Sequence, residues 1–114
     1  MPPREWDFRV RDILESIAKI QRYTDGLDLE RFRDHEMALD AVIRNLEVIG
    51  EAAHQVPDEI KASAPDLPWK EMRAMRNLLA HEYFGADPKT VWETARHDLP
   101  PLIPRLRALI ENLG

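Results

Sequence analysis

The spacing of hydrophobic residues in two long segments constrains this chain more than any other feature of its sequence. Along the helix predicted from about Asp34 to Gln55, and on to Val56, mostly apolar residues recur at steps of four and three. This is the spacing of a helix face that packs along a neighbouring helix. The residues are Ala38, Val42, Asn45 with Leu46, Ile49, Ala53 and Val56. A similar period runs from Arg4 to Tyr23, and strand-like alternation is absent from the sequence, so the chain is predicted to be all-α.

Proline and glycine residues divide the rest of the chain into shorter elements. Gly26 is predicted to cap the first helix, and Pro57 to end the second. Short turns are predicted at Leu29–Phe32 and Ile60–Ala64. A third helix is predicted from Pro68 to Gly85, and a fourth begins at Asp87-Pro88. Pro100, Pro101 and Pro104 predict an interruption near Asp98, which is followed by a last helical piece from Leu102 to Leu113. Together they predict an antiparallel four- to five-helix bundle.

Length and composition limit the classes of protein to consider. The 114 residues predict a single domain spanning 1–114. The absence of cysteine excludes disulfides and thiolate metal sites. His35, His54 and His97 are scattered, so neither a metal site nor a cofactor is expected. With no apolar run typical of a signal peptide or a membrane span, the sequence predicts a soluble, cytoplasmic protein.

The stretch from Arg76 to Tyr83 collects a guanidinium, an amide, an imidazole and a phenol within eight residues. An arginine can bind phosphate oxygens bidentately, and a histidine can transfer protons near pH 7. Arg76 and His81 are therefore candidate catalytic residues for phosphodiester cleavage without a metal ion, with Asn77 orienting either the histidine or the phosphate. The alternative is an arginine on a helix face and a histidine that caps a helix or packs in the core.

Helix geometry raises a difficulty for this pair. On an ideal α-helix, Arg76 and His81 would point about 140° apart, which is unsuitable for gripping one phosphate. Either the helix loosens between Leu79 and His81, or two copies of the chain bring their motifs face to face in a two-fold dimer.

The charge of the chain is unusual for a nucleic-acid enzyme. Its formal net charge is -5, whereas phosphate binding favours a basic face. Lys70, Arg73, Arg76 and Arg96 are candidates for a local basic patch; the alternative is that they are solvated charges on helix faces.

Two residues of the second helix also stand out. Gly50 is costly inside a helix, and close approach of another helix is a sufficient reason for it. Glu51, with Arg44 and Glu47, belongs either to a solvated polar stripe, the favoured interpretation, or to an ion pair with Arg76. The tryptophans Trp6, Trp69 and Trp92 are expected in the core or at a dimer interface.

Several segments in this order resemble one family over nearly the whole chain. They are Arg11-Asp12-Ile13-Leu14, Asp40 to Glu47, Ile49-Gly50-Glu51-Ala52, Pro68-Trp69, Met75-Arg76-Asn77, His81 to Gly85, Val91-Trp92 and Asp98-Leu99-Pro100. The family is that of HepT-type HEPN-domain toxins, which are paired with a small MntA-type nucleotidyltransferase antitoxin. Two positions depart from the family's pattern, because Leu78 stands where relatives often have a basic residue and Glu82 where a glycine is common.

The resemblance implies a function and partners. It implies a homodimer with a shared cleft that cleaves RNA, plausibly tRNA, through Arg76 and His81. It also implies that the antitoxin transfers AMP to Tyr83, which would block the cleft. Leu78 and the acidic balance favour a second hypothesis, in which the chain is a non-catalytic module that binds the nucleotidyltransferase and presents a nucleotide or substrate to it.

Overall fold

The computed structural model describes residues 5–77 and 87–113, and the regular secondary structure in those ranges is entirely helical. The α-helices are α1 (Glu5–Thr24), α2 (Leu29–Asp34), α3 (Glu36–Gln55), α4 (Asp58–Ser63), α5 (Trp69–Ala74), α6 (Pro88–Glu93) and α7 (Leu102–Leu113). The all-α class is thus confirmed, but the described residues form seven α-helices rather than four to five. The count was too low because the segments predicted as short turns, at α2 and α4, are complete short helices.

The helices α1 and α3 form the frame of the fold. Each has 20 residues, which corresponds to ~30 Å. Arg9 and Asp12 from the first half of α1 line a groove with Glu47 and Glu51 from the second half of α3, so the two helices run antiparallel. Their facing sides carry the hydrophobic core, as the period predicted. Its fully buried members on these helices are Val10, Ile13, Ile17, Ile20, Val42, Ile49 and Ala53.

Side chains fix the boundaries of the helices in this frame. Gly26 has φ 76, the left-handed conformation expected of a residue that follows a helix end. The Asp28 carboxylate accepts a hydrogen bond from the Arg31 amide at 2.9 Å and starts α2. The imidazole Nδ1 of His35 accepts one from the Ala38 amide at 3.1 Å. Because His35 is this N-cap, α3 starts at Glu36 and not at the predicted Asp34.

The C-terminal part of the chain forms a helix, a π-helical turn and a second helix, which pack on this frame. Asp87 caps α6, whose first residue is Pro88, as predicted. The helix then widens into a π-helical turn over Thr94–Asp98, closed by a bond from the Leu99 amide to the Thr94 carbonyl at 3.1 Å. The interruption predicted near Asp98 is therefore present. Pro104, in contrast, does not interrupt α7, because it lies in the first turn, where an amide hydrogen is not needed.

The tryptophans contribute to packing within the chain. Trp6 and Trp69 are buried in the core, and the Trp69 indole donates to the Ala64 carbonyl at 2.9 Å. Trp92 is half-buried, and its ring centroid lies 5.2 Å from that of Phe32, which joins α6 to α2. The expectation of core positions is confirmed for Trp6 and Trp69. Within the described ranges, no helix is sufficiently long and apolar to cross a membrane.

Candidate active site

The first two motif residues lie in a tight turn that follows α5. The α-helix ends at Ala74, and Met75–Asn77 form a single 3₁₀ turn. The prediction of one continuous α-helix from Pro68 into the motif is therefore wrong. A 3₁₀ turn advances about 120° per residue rather than 100°. The rotation of 100° per residue assumed for an ideal α-helix consequently does not apply within Met75–Asn77.

The remaining motif residues fall outside the described part of the chain. These are Leu78, the predicted catalytic His81, Glu82 and the predicted modification site Tyr83. The same holds for Gly85, which was expected to close the third helix. Of the named motif residues, the structure describes Arg76 and Asn77. Arg76 is half-buried, and Asn77 is exposed.

The 3₁₀ turn packs directly on α3 at Gly50. A Cβ atom built on Gly50 would overlap the backbone nitrogen of Arg76 and lie 2.8 Å from its Cα. Such distances do not occur for real side chains, so glycine is the residue that allows the contact. The predicted reason for Gly50, close approach of another element, is confirmed. The approaching element is the backbone of the proposed catalytic arginine.

The side chain of Arg76 is held by the next residue of α3. Its Nη1 atom lies 3.7 Å from Oε2 of Glu51. The other carboxylate oxygen, Oε1, accepts a hydrogen bond from Gln55 Nε2 at 3.3 Å. Glu51 is thus exposed on the polar stripe of α3 and also ion-paired with Arg76, so features of both interpretations are found. The sequence signal for the ion pair is that Glu51 directly follows Gly50, where close approach of another element is predicted.

The predicted basic patch is only partly assembled. Lys70 and Arg73 are exposed on α5, immediately before the Arg76 turn. Burial lowers the pKa of Lys61, and the nearby charge of Arg73 lowers this pKa further. The positive charge of Arg73 on α5 therefore acts on Lys61 of α4.

Arg96 lies apart from this cluster. Its Nη1 atom donates to the Thr24 hydroxyl at 3.3 Å, and its guanidinium carbon lies 5.5 Å from the centroid of the Trp92 ring. Thr24 ends α1, whereas the groove beside Glu51 includes Asp12, twelve residues earlier. That separation corresponds to ~18 Å along the helix. Arg96 therefore stabilises the opposite end of the α1–α3 frame.

The groove beside Glu51 has a mixed charge. It encloses about 330 Å³ between α1 and α3. Two guanidinium groups, of Arg9 and Arg44, face three carboxylates, of Asp12, Glu47 and Glu51. Arg44 is itself paired with Glu47 at 3.5 Å. This groove does not supply the basic face that phosphate binding favours.

The described residues contain no group of three or more His, Asp or Glu side chains placed to hold a metal ion. The chemistry that can be assigned to the described part of the site is binding of an anion by Arg76. The guanidinium is partly accessible, with 35% of its side-chain surface exposed. Because its ion pair with Glu51 is long and open to solvent, a phosphate oxygen can approach the remaining N–H groups.

The described residues are all helical, and Arg76 stands five residues before His81 in the sequence, as in the helical ribonucleases that the motifs resemble. The chain belongs to the Ribonuclease HepT-like family, whose sequence model matches residues 13–109. The family resemblance found in the motifs is thereby confirmed.

Individual relatives agree with this assignment. A Methanocaldococcus jannaschii protein named as a candidate RNase is 40% identical over 113 residues, covering 99% of this chain and 97% of its own. A Thermococcus cleftensis protein named "Probable ribonuclease HepT" is 41% identical over 93 residues, covering 82% of this chain and 84% of its own. A protein of Caldanaerobacter subterraneus, also named as a candidate RNase, is 32% identical over 100 residues. No solved structure is significantly similar to the chain.

Proposed function

We propose that this protein is an endoribonuclease toxin that cleaves RNA, with tRNA as the candidate substrate, without a metal ion. Membership of the HepT-like family is the observation that carries the proposal. The exposure of the Arg76 guanidinium beside α3 supports it, because this group must reach a phosphate. His81 is the proposed proton-transfer residue, and Asn77 orients either His81 or the phosphate.

The reaction needs no nucleophile from the protein. The ribose 2′-hydroxyl attacks the adjacent phosphorus, and the bond from phosphorus to the 5′-oxygen of the next nucleotide breaks. The products are a 2′,3′-cyclic phosphate and a 5′-hydroxyl. His81 would transfer the protons, which typically contributes ~10²–10⁴ in rate. Arg76 would stabilise the negative charge that builds on the phosphoryl oxygens.

A homodimer is part of the proposal. The reaction moves two protons, one from the 2′-hydroxyl and one to the leaving oxygen, whereas each motif contains a single histidine. A two-fold dimer places one patch against its own copy, so two motifs can share one cleft. Each chain would then supply one Arg76 and one His81 to that cleft.

Neutralisation by a nucleotidyltransferase of the MntA type is the second part of the proposal. The enzyme would transfer AMP from ATP to the Tyr83 hydroxyl with release of pyrophosphate. Tyr83 lies two residues from His81 in sequence, so a bulky anion there would obstruct the cleft and repel RNA phosphates. Mass spectrometry after incubation with the cognate enzyme and ATP should detect one AMP per chain in the wild type and none in Tyr83→Phe.

The nuclease proposal is tested with purified protein, total cellular RNA and excess chelator. Wild type should cut the RNA, whereas His81→Ala and Arg76→Ala should lose most of the activity. DNA of the same sequence should remain intact because it lacks the 2′-hydroxyl. Cleavage of DNA at the rate of RNA would exclude the mechanism, and equal cutting by His81→Ala would exclude the site.

A second candidate function is a non-catalytic module that binds a nucleotidyltransferase. The net charge of -5 and the carboxylates of the α1–α3 groove favour it, since both oppose RNA binding. Expression of the chain alone separates the two functions. Growth arrest is expected only from the toxin, whereas a binding module should be harmless without its partner.

A further inference from the structure

We infer that Glu51 is a positioning residue for the cleavage reaction, and that α3 holds Arg76 at both its backbone and its guanidinium through the pair Gly50-Glu51. The inference rests on the proposed function, because it assigns Arg76 to the reacting phosphate. Glu51 itself would not touch the RNA phosphate. It would act by fixing where the guanidinium points.

The backbone of Arg76 packs directly against α3 at Gly50, which has no side chain to prevent the contact. A Cβ on Gly50 would lie 2.8 Å from both the Cα and the Cβ of Arg76. Gly50 is itself buried in the second half of α3, as are Ile49 and Ala52. The position of the Cα and Cβ atoms of Arg76 is therefore determined by their contact with α3.

The guanidinium end of the side chain lies against Glu51. Its Oε2 atom lies 3.7 Å from Arg76 Nη1. Its Oε1 atom accepts from Gln55 Nε2 at 3.3 Å, one helical turn further along α3. This second contact orients the carboxylate plane, so that one oxygen is directed towards Arg76. A carboxylate that binds one edge of a guanidinium leaves its other N–H groups to bind a phosphate.

Stability is a poor explanation for this ion pair. The side chains of Arg76 and Glu51 are 35% and 58% exposed, and exposed ion pairs contribute little to folding. Orientation has a larger effect, because a misplacement of about 1 Å in a catalytic group can cost ~10²-fold in rate. A contact of this kind is therefore expected to change kcat and leave the folded state almost unaffected.

The opposite role is also chemically possible, and the two can be separated by experiment. As a competitor, the Glu51 carboxylate would occupy the guanidinium in place of the RNA phosphate. Its removal would then lower KM and leave kcat unchanged or raise it. As a positioning residue, its removal lowers kcat and leaves KM nearly constant, because the loss is confined to the transition state.

The experiment compares Glu51→Ala and Glu51→Gln with Glu47→Gln in the full-length protein, with an RNA oligonucleotide as substrate. Glu47 is the matched control, since it lies one turn earlier on α3 and pairs with Arg44 instead of Arg76. We expect kcat to fall about 10- to 100-fold in Glu51→Ala, with KM within about twofold of wild type. Glu51→Gln retains an oxygen that can accept from Arg76, so a smaller loss is expected. Glu47→Gln should match wild type, and all melting temperatures should agree closely.

A double variant tests whether Glu51 acts through Arg76. Arg76→Ala and Arg76→Ala/Glu51→Ala should have the same residual activity, because a positioning residue has no effect without the group it positions. Additive losses in the double variant would overturn the inference. So would a lowered KM with unchanged kcat in Glu51→Ala, or activity equal to that of Glu47→Gln.

A measurement without catalysis distinguishes failure of this inference from failure of the proposed function. Phenylglyoxal modifies free guanidinium groups, and mass spectrometry can follow its addition to Arg76. Modification should be faster in Glu51→Ala than in Glu47→Gln. An inactive wild type with this difference would exclude the ribonuclease function but retain the contact. Equal modification rates would exclude the positioning role, whether or not the wild type is active.

Discussion

Gly50 of α3 lies directly against the backbone of Arg76, so a residue without a side chain determines where the site's arginine is placed. A Cβ at position 50 would overlap the arginine's backbone nitrogen. The neighbouring Glu51 then contacts the guanidinium at 3.7 Å. Two consecutive residues of one long helix thus contact both ends of the Arg76 side chain, which belongs to a turn distant in sequence.

Substitution Gly50→Ala should destabilise the protein and reduce RNA cleavage. The added methyl group must displace the 3₁₀ turn, and overpacking of this kind typically costs about 1–3 kcal/mol. This range equals or exceeds the gain of roughly 1 kcal/mol in helix propensity. Urea denaturation and cleavage assays would measure the two effects.

Gly26→Ala is the contrasting variant, since no atom lies within 4 Å of its Cβ position. Its cost should come from φ 76 alone, with cleavage retained; equal activities in the two variants would contradict the assigned contact.

Substitution Phe32→Ala should destabilise the fold by about 3–5 kcal/mol, the usual cost of truncating a buried phenylalanine. Phe32 is fully buried and contacts Trp92 with a centroid separation of 5.2 Å. Chemical denaturation followed by tryptophan fluorescence would detect the loss. Phe8 is 64% exposed, so Phe8→Ala serves as the control and should change stability by less than about 0.5 kcal/mol. A small effect at Phe32 would disprove the packing of α6 on α2.

The effect of the substitution Lys61→Gln on the stability of the folded protein should depend on pH. Burial, reinforced by Arg73, lowers the pKa of Lys61 from 10.5 in the folded state. The unfolded state therefore retains the proton more strongly, and the contribution of Lys61 makes wild-type stability rise with pH between the lowered pKa of the folded state and 10.5. Lys61→Gln removes this dependence. It should be more stable than wild type at neutral pH, and the difference should shrink as the pH approaches 10.5. Thermal melts across that range would test the sign, and a difference that grows with pH would contradict it.

The salt dependence of RNA binding should identify the arginine that meets phosphate. Arg76→Ala should make the slope of log K against log salt shallower by about 0.7, the value for one phosphate contact with a single strand. Arg96→Ala should leave the slope unchanged, because Arg96 stacks on Trp92 at the other end of the α1–α3 frame. Fluorescence anisotropy with a labelled RNA, at several salt concentrations, would give both slopes. Equal reductions would mean that the RNA path extends to Arg96.

Much of the fold could be predicted because it depends on local sequence. The period of apolar residues in α1 and α3 determines which face is buried, and every predicted seam position of α3 is indeed buried. Asp28, Asp87 and Gly26 act within a few residues of themselves, so their capping roles were also accessible. The boundary of α3 was less predictable, since histidine is an uncommon N-cap.

The sequence by itself determined the helical class, the buried faces, the composition of the motif and the family. Only the tertiary structure decided that α5 gives way to a 3₁₀ turn at Met75, that Glu51 meets Arg76, and that Arg96 lies apart from both. The physical reason is that these features depend on how helices cross. Periodicity and capping act over one or two turns, whereas the approach of the 3₁₀ turn to Gly50 depends on the packing of residues far apart in the chain.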